Sequence, residues 1–438
     1  MRRLNRLSVA VSLFAALLAA QAIHAATYYV DRAIGSDSNT GLGQTAGAGG
    51  PLYSLKAALA KPLAPGDVVY LKNGTYTEYP LTMSKSGAIG NPITIRNFPG
   101  HTPIINTGPF VRATAAASDY NRRLYIYSGS LANPMHDVTI QGLEITNGHD
   151  GIKNESGDRL VFRNNYIHDT YGQGMLLNGC NDCVVDGNRF VRIGIHFLEQ
   201  GCGGFNCNQV HGIYNVGQRW LIINNIFEET AAGWGLHAAG YNNTTDLNPG
   251  YPADHMGWTG RVANNTFTYS KHRGGMIVYR GLNIGSIIEN NIFYENAQLE
   301  SNNSCGGQAV SFLNAGGGHI IRNNLIYATA PGRTGAFGET SGSTCGINLG
   351  HYTESGNIIN VSNPKFVNAP AAVPASPDYH LMSGSPAIDK GLPLSFVTTD
   401  IDGVLRPQGS GYDIGAFESP AASGANPPPA KPKGLRTP

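Results

Sequence analysis

Six stretches share one design: Leu160–Ile167 (LVFRNNYI), Cys183–Phe190 (CVVDGNRF), Trp220–Phe227 (WLIINNIF), Gly260–Phe267 (GRVANNTF), Ser286–Phe293 (SIIENNIF) and His319–Ile326 (HIIRNNLI). Each has apolar residues, then Asn-Asn or Gly-Asn, then more apolar residues, and a weaker copy ends at Gly356-Asn357. The second Asn falls at 165, 188, 225, 265, 291, 324 and 357, in steps of 23, 37, 40, 26, 33 and 33. A fixed core motif with uneven spacing means one structural coil repeated, with loops of varying length between copies. The apolar residues alternate with period 2, which predicts strands, not helices. An Asn recurring at one turn position can stack coil on coil, its amide hydrogen-bonding up and down the ladder as in other stacked β structures.

A second strand belongs to each coil: Gly151–Lys153, Gly174–Leu177, Gly212–Asn215, Gly235–Ala238, Gly275–Val278, Ala309–Phe312 and Gly346–Leu349. Stacked, they form one continuous parallel sheet. The fold expected is all-β, a single right-handed parallel β-helix with a short helical cap from Tyr53 to Ala60. Repeat folds grow along one axis, so 438 residues need no domain break. The expected divisions are a signal peptide over 1–26, a cap and first coils over 27–110, the β-helix with its closing segment over 111–418, and a Pro-rich tail over 419–438. The signal peptide is read from Arg2, Arg3 and Arg6, the apolar run Leu7 to Ala20, and cleavage patterns at Ala20-Gln21-Ala22 and Ala26. It predicts a secreted or periplasmic protein that is not held in a membrane.

Net charge is +1 and only 13% of residues are charged, with no basic stripe, so nucleic acid is not expected as a partner. The six cysteines suggest disulfides in an exported chain, with Cys180–Cys183, Cys202–Cys207 and Cys305–Cys345 as the favoured pairs. Zinc is not expected, because Cys180-x-x-Cys183 lacks a second ligand pair.

Two end segments carry a family resemblance. Tyr53 to Tyr76, containing APGDVVYLKNGTY, resembles the start of bacterial exported right-handed β-helix repeat proteins, and SPAID…DIDGVLRP…YDIGAFE resembles their C-terminal end. The resemblance implies the β-helix fold and points toward polysaccharide lyases, epimerases and glycosidases that share it.

In a repeat protein the departures from the core motif carry the function. The longest steps flank residues 188 to 265, where Ile195–Gln209 and Tyr241–Trp258 would wall a trough from both edges. If Ile152, Ile213 and Leu236 point inward, Lys153, Tyr214 and His237 point into that trough, with Leu176 in the same slot between Lys153 and Tyr214. His211, Trp234, Arg273, Arg280 and His255 crowd the same zone as substrate-binding candidates, alongside Glu199 and Asp254. This set suits β-elimination of an acidic, uronate-containing polysaccharide by a monomeric lyase. His237 or Lys153 would withdraw the proton next to the carboxylate, Tyr214 would protonate the leaving oxygen, Arg273 or Arg280 would clamp the carboxylate, and Trp234 would stack on a sugar. Hydrolysis is the rival, but it needs two carboxyl groups about 5–10 Å apart, and no carboxylate is expected in the outward column. A glycan-binding adhesin is the third alternative. No cofactor is required. Calcium is admitted through Asp246, Asn248 and Asp254, but these are too few for a full shell. If the disulfide reading holds, titration of thiols in denatured, non-reduced protein should find none; six free thiols would refute it.

Overall fold

The computed structural model describes residues 25–111, 114–194, 196–197, 209–240, 252–299, 307–329, 336–341 and 344–420. The residues before 25 read as a signal peptide, those after 420 read as a tail, Glu199, Asp246, Asn248, Cys202, Cys207 and Cys305 lie outside the described residues, as do most of the two predicted wall loops. Among the described residues no helix is long and apolar enough to cross a membrane.

The chain winds through three long sheets. Sheet 1 has 11 strands from Thr27–Val30 to Tyr352–Ser355, sheet 2 has 10 from Thr75–Tyr76 to Ile358–Ile359, and sheet 3 has 11 from Leu81–Met83 to Thr344–Ile347. Within each, a strand pairs in parallel with the strand one coil away, as in Val161–Arg163 on Val184–Asp186. The protein is therefore a parallel β-helix. A right-handed winding is what twisted strands with parallel crossovers favour. One pairing departs from the expectation. Thr344–Ile347 runs antiparallel to Phe337–Ser341, so the expected strand Gly346–Leu349 is a hairpin return that ends sheet 3.

The Asn motif straddles a corner. Its first apolar half lies in sheet 1 and its second in sheet 2, which is why the motif reads as strand, turn, strand. At that corner the two Asn residues divide the work. The first adopts the left-handed backbone conformation, with φ near +55° at Asn164, Asn224, Asn264, Asn290 and Asn323, a region Asn tolerates better than other non-glycine residues. The second turns inward and is buried. Asn188 donates its backbone N–H and side-chain amide to Asn225 Oδ1 at 2.8 and 3.1 Å, Asn225 does the same to Asn265, and so on through Asn291 and Asn324 to Asn357. The same amide also donates to a carbonyl of the previous coil, as Asn225 does to Val185 at 2.9 Å. Each inward Asn thereby satisfies turn groups that could not otherwise reach water.

Next to this ladder the core is apolar and repetitive. Phe190, Phe227, Phe267 and Phe293 stack at centroid separations of 4.9, 4.5 and 4.9 Å with nearly parallel planes. At the N-terminal end, the helix Leu55–Leu59 is capped by Ser54 Oγ, which accepts from the Ala57 N–H, and buries Leu55, Ala58 and Leu59.

The C-terminal segment returns along the outside. Phe366, Tyr379, Leu381, Ile401, Ile414 and Phe417 pack on the outer face of sheet 2 at Ile226, Ile292, Tyr294 and Leu325. Leu394 and Val397 cover Ile223 and Ala263 of sheet 1. The left-handed Asn residues hold this return. Asn323 donates to the Lys390 carbonyl, Asn290 to Leu392, Asn264 to Asp413 and Asn224 to Thr399, at 2.9–3.1 Å. Arg406 is buried beneath it, ion-paired to Glu418 at 2.7 Å. These outer clusters contain no residue of sheet 3.

Replacing Asn225 with Ala should strand the Asn188 N–H and the Val185 carbonyl in the core. Urea unfolding should show a loss of about 2–4 kcal/mol. A loss below about 0.5 kcal/mol would show that the ladder is not what secures the corner.

Candidate active site

Sheet 3 carries the candidate site, and its register decides which side chains share a face. Thr82, Tyr125, Lys153, Leu176, Tyr214, His237, Ile277 and Ser311 are successive partners across the sheet. Their neighbours Ile152, Met175, Ile213, Leu236 and Met276 are fully buried in the core, so alternation turns the register column outward. Lys153, Leu176 and Tyr214 are half-buried. His237 is 9% exposed, and Ile277 and Ser311 are 2% exposed. The column thus opens at its Lys153 end and closes beyond His237.

The sequence reasoning missed part of this face. The strand containing Lys153 runs on to Asp158, and Glu155 faces the same way two residues further on. Glu155 Oε1 pairs with Lys153 Nζ at 2.5 Å and its Oε2 accepts from Asn178 at 3.0 Å. The outward column itself holds no carboxylate, but Glu155 stands beside it on the same face. Apolar alternation stops at Lys153 because a buried polar residue, Asn154, takes the next inward position. Alternation counted by position alone would have found Glu155. Tyr125 and Tyr279 were also missed, although the inward residues beside them, Ile126 and Val278, are apolar. Tyr125 lies one strand before Lys153, with its hydroxyl pushed up to about 12 by burial and then by Glu155. Tyr279 lies two residues beyond Ile277, with its ring 5.4 Å from that of His237.

Tyr214 and His237 stand on adjacent strands with ring centroids 4.7 Å apart, edge to face. His211, just ahead of the Tyr214 strand, is buried, and its Nε2 lies 2.8 Å from His237 Nδ1. Its Nδ1 accepts from the Trp234 backbone N–H at 3.1 Å. The Trp234 ring stacks near His211 at 5.8 Å, and the Arg273 guanidinium lies 5.6 Å from the Trp234 ring centroid. Arg280 follows the strand Met276–Tyr279 in a left-handed turn, with its guanidinium over Tyr279 at 5.0 Å. Lys153 is two strands from Tyr214, roughly 10 Å along the sheet, with only Leu176 between them.

His255 does not join this group. Its imidazole sits between Asp158, 3.1 Å from Nε2, and Asp254, 2.9 Å from Nδ1, at the far end of the strand that carries Lys153. Burial pulls its pKa down, but hydrogen bonds to the two carboxylates outweigh this and hold it above the ordinary histidine value. It ties the returning loop to sheet 3. Nearby, Cys180 and Cys183 form a buried disulfide. Among the described residues no cluster of His, Cys, Asp or Glu could hold a metal ion.

No protein-family model matches the sequence, and no curated protein sequence does. Solved structures are similar in outline. A pectate lyase, Pel9A, is 18% identical with a TM-score of 0.47, over 90% of this chain and 96% of its own. A glycoside hydrolase is 9% identical with a TM-score of 0.47, over 76% and 96%. PfbA, a surface adhesin of Streptococcus pneumoniae, is 13% identical with a TM-score of 0.44, over 70% and 75%.

Burial pushes the His211 pKa well below the ordinary value, with His237 adding to it, and burial with Arg280 pushes His237 down to about 3. Both rings are neutral in the fold at neutral pH. The unfolded chain protonates them below about pH 6.5, whereas the folded chain does not, so stability is full above that value and falls as pH drops. Each such ring contributes up to about 1.4 kcal/mol per pH unit. His237→Gln should therefore flatten the dependence of unfolding free energy on pH by about 1 kcal/mol per unit between pH 6 and 5. An unchanged slope would show that His237 titrates normally.

Proposed function

We propose that the trough on sheet 3 binds an acidic polysaccharide and cleaves it by β-elimination outside the cytoplasm. The observation that carries this reading is the outward column in which Lys153, Tyr214 and His237 share one face beside Arg280. Elimination needs a cationic or donor group to hold the uronate carboxylate, a base for the C5 proton and an acid for the leaving oxygen. Arg280 and Arg273 suit the first task, Lys153 or His237 the second and Tyr214 the third. Lys and Tyr side chains are long enough to meet over Leu176. Trp234 borders the same face, its ring against His211 and Arg273, and the segment read as a leader fits export to where such polymers occur.

Glu155 supports a second reading. A trough-face carboxylate held by Lys153 and Asn178 is the kind of group a glycoside hydrolase uses, provided a second carboxyl lies about 5–10 Å away. The two chemistries leave different products. Elimination creates a double bond that absorbs near 235 nm, whereas hydrolysis creates reducing ends without that absorbance.

Purified protein should raise the 235 nm absorbance of at least one uronate polysaccharide in a panel. Tyr214→Phe should lower that turnover at least about a hundredfold, the usual worth of a positioned acid or base, with an unchanged melting temperature. Lys153→Ala should do the same if Lys153 is the base. Reducing ends without absorbance, lost in Glu155→Gln, would establish hydrolysis instead. Near wild-type turnover in Tyr214→Phe would move the site elsewhere.

A further inference from the structure

The hydrogen bonds around His211 determine where its proton lies. Nδ1 receives the Trp234 backbone N–H and must be unprotonated. The proton of the neutral ring is then on Nε2, pointing at His237 Nδ1. His237 Nδ1 is in turn an acceptor, so the proton of neutral His237 lies on Nε2. Each step follows because a neutral imidazole carries one donor and one acceptor. The contact is built closely. A Cβ placed on Gly233 would lie 2.3 Å from His211 Nδ1, so only glycine lets the backbone deliver the Trp234 N–H to that ring.

The relay ends on an unspent donor. His237 Nε2 is buried and has no hydrogen-bond partner among the described residues, and the same holds for Trp234 Nε1. Both side chains belong to residues 9% exposed, and their rings lie 6.0 Å apart. Buried N–H groups are normally paired. Two unpaired donors on neighbouring rings, with the Arg273 guanidinium 5.6 Å from the Trp234 ring centroid, leave room in the bonding scheme for an acceptor from outside the described residues. A carboxylate supplies two acceptor oxygens, one for each N–H.

We propose that His237 Nε2–H and Trp234 Nε1–H form a paired donor site for a sugar carboxylate, with His211 as the positioning residue that fixes the His237 proton on Nε2. This rests on the reading of the trough as an acidic-polysaccharide site and deepens it. A ring that presents Nε2–H to the substrate is a donor to it and not the base that removes C5–H. Proton abstraction then falls to Lys153, and His237 selects for uronate over neutral sugar.

Nitrogen-15 NMR of histidine-labelled protein at pH 7 should show both rings neutral, with Nε2 protonated and Nδ1 bare. Calorimetry should show a trimer of galacturonate or mannuronate binding at least tenfold more tightly than its methyl ester. His237→Gln places an amide N–H where Nε2–H was, so it should keep affinity for the acid trimer within about threefold. His237→Leu should lose at least tenfold in affinity while circular dichroism shows the protein still folded at the assay temperature. In His211→Gln, the His237 ring should show a mixture of tautomers. A proton on His237 Nδ1, equal affinity for acid and ester, or an equal loss of affinity in the Gln and Leu variants would each overturn the inference while leaving the trough reading standing. Absence of binding by any uronate trimer, together with no 235 nm product, would overturn the trough reading and with it the carboxylate assignment.

Discussion

The inward Asn amide at the corner between sheets 1 and 2 is the interaction on which the other features depend. A tight corner in every coil puts backbone N–H and C=O groups into a dry interior, where an unpaired group is costly. A single side chain with one acceptor and one donor end solves this by serving the coil on either side. Because the amide of one coil bonds to the amide of the next, it also sets the axial register. The phenylalanine stack and the strands of sheet 3 then inherit that register. The outward column from Tyr125 to Ser311 is straight because the corner beneath it repeats.

The division of faces follows from the same corner. The left-handed Asn that precedes the inward one turns its amide to the outside, where it donates to carbonyls of the returning C-terminal segment. That segment covers sheet 2 and part of sheet 1. Sheet 3 is the face left to carry polar and aromatic groups in register, and the candidate site lies there.

Much of this was legible in the residues. The ladder positions from Asn165 to Asn357 and the alignment of Lys153, Leu176, Tyr214 and His237 follow from spacing and alternation, because a period-2 pattern repeated coil after coil leaves little freedom of register. Three kinds of information were not legible. Glu155 was hidden because Asn154, buried but polar, broke the apolar pattern used to follow the strand. His255 looked like a site residue by proximity in sequence, but Asp158, 97 residues away, draws it to the other end of the strand. The His211–His237 contact depends on how two rings are turned, which alternation does not specify.

The C-terminal return has a consequence for how this molecule can change in evolution. Most solenoids gain or lose a repeat at small cost, since each unit touches only its neighbours. Here one segment spans coils from Asn224 to Asn323 and bonds to them at set intervals, with Asn224 and Thr399 joined across 175 residues. Duplicating or deleting a coil inside that span would throw the anchoring carbonyls out of step with the Asn residues that hold them. The number of turns there is locked by the strap, and new length can enter only in the loops.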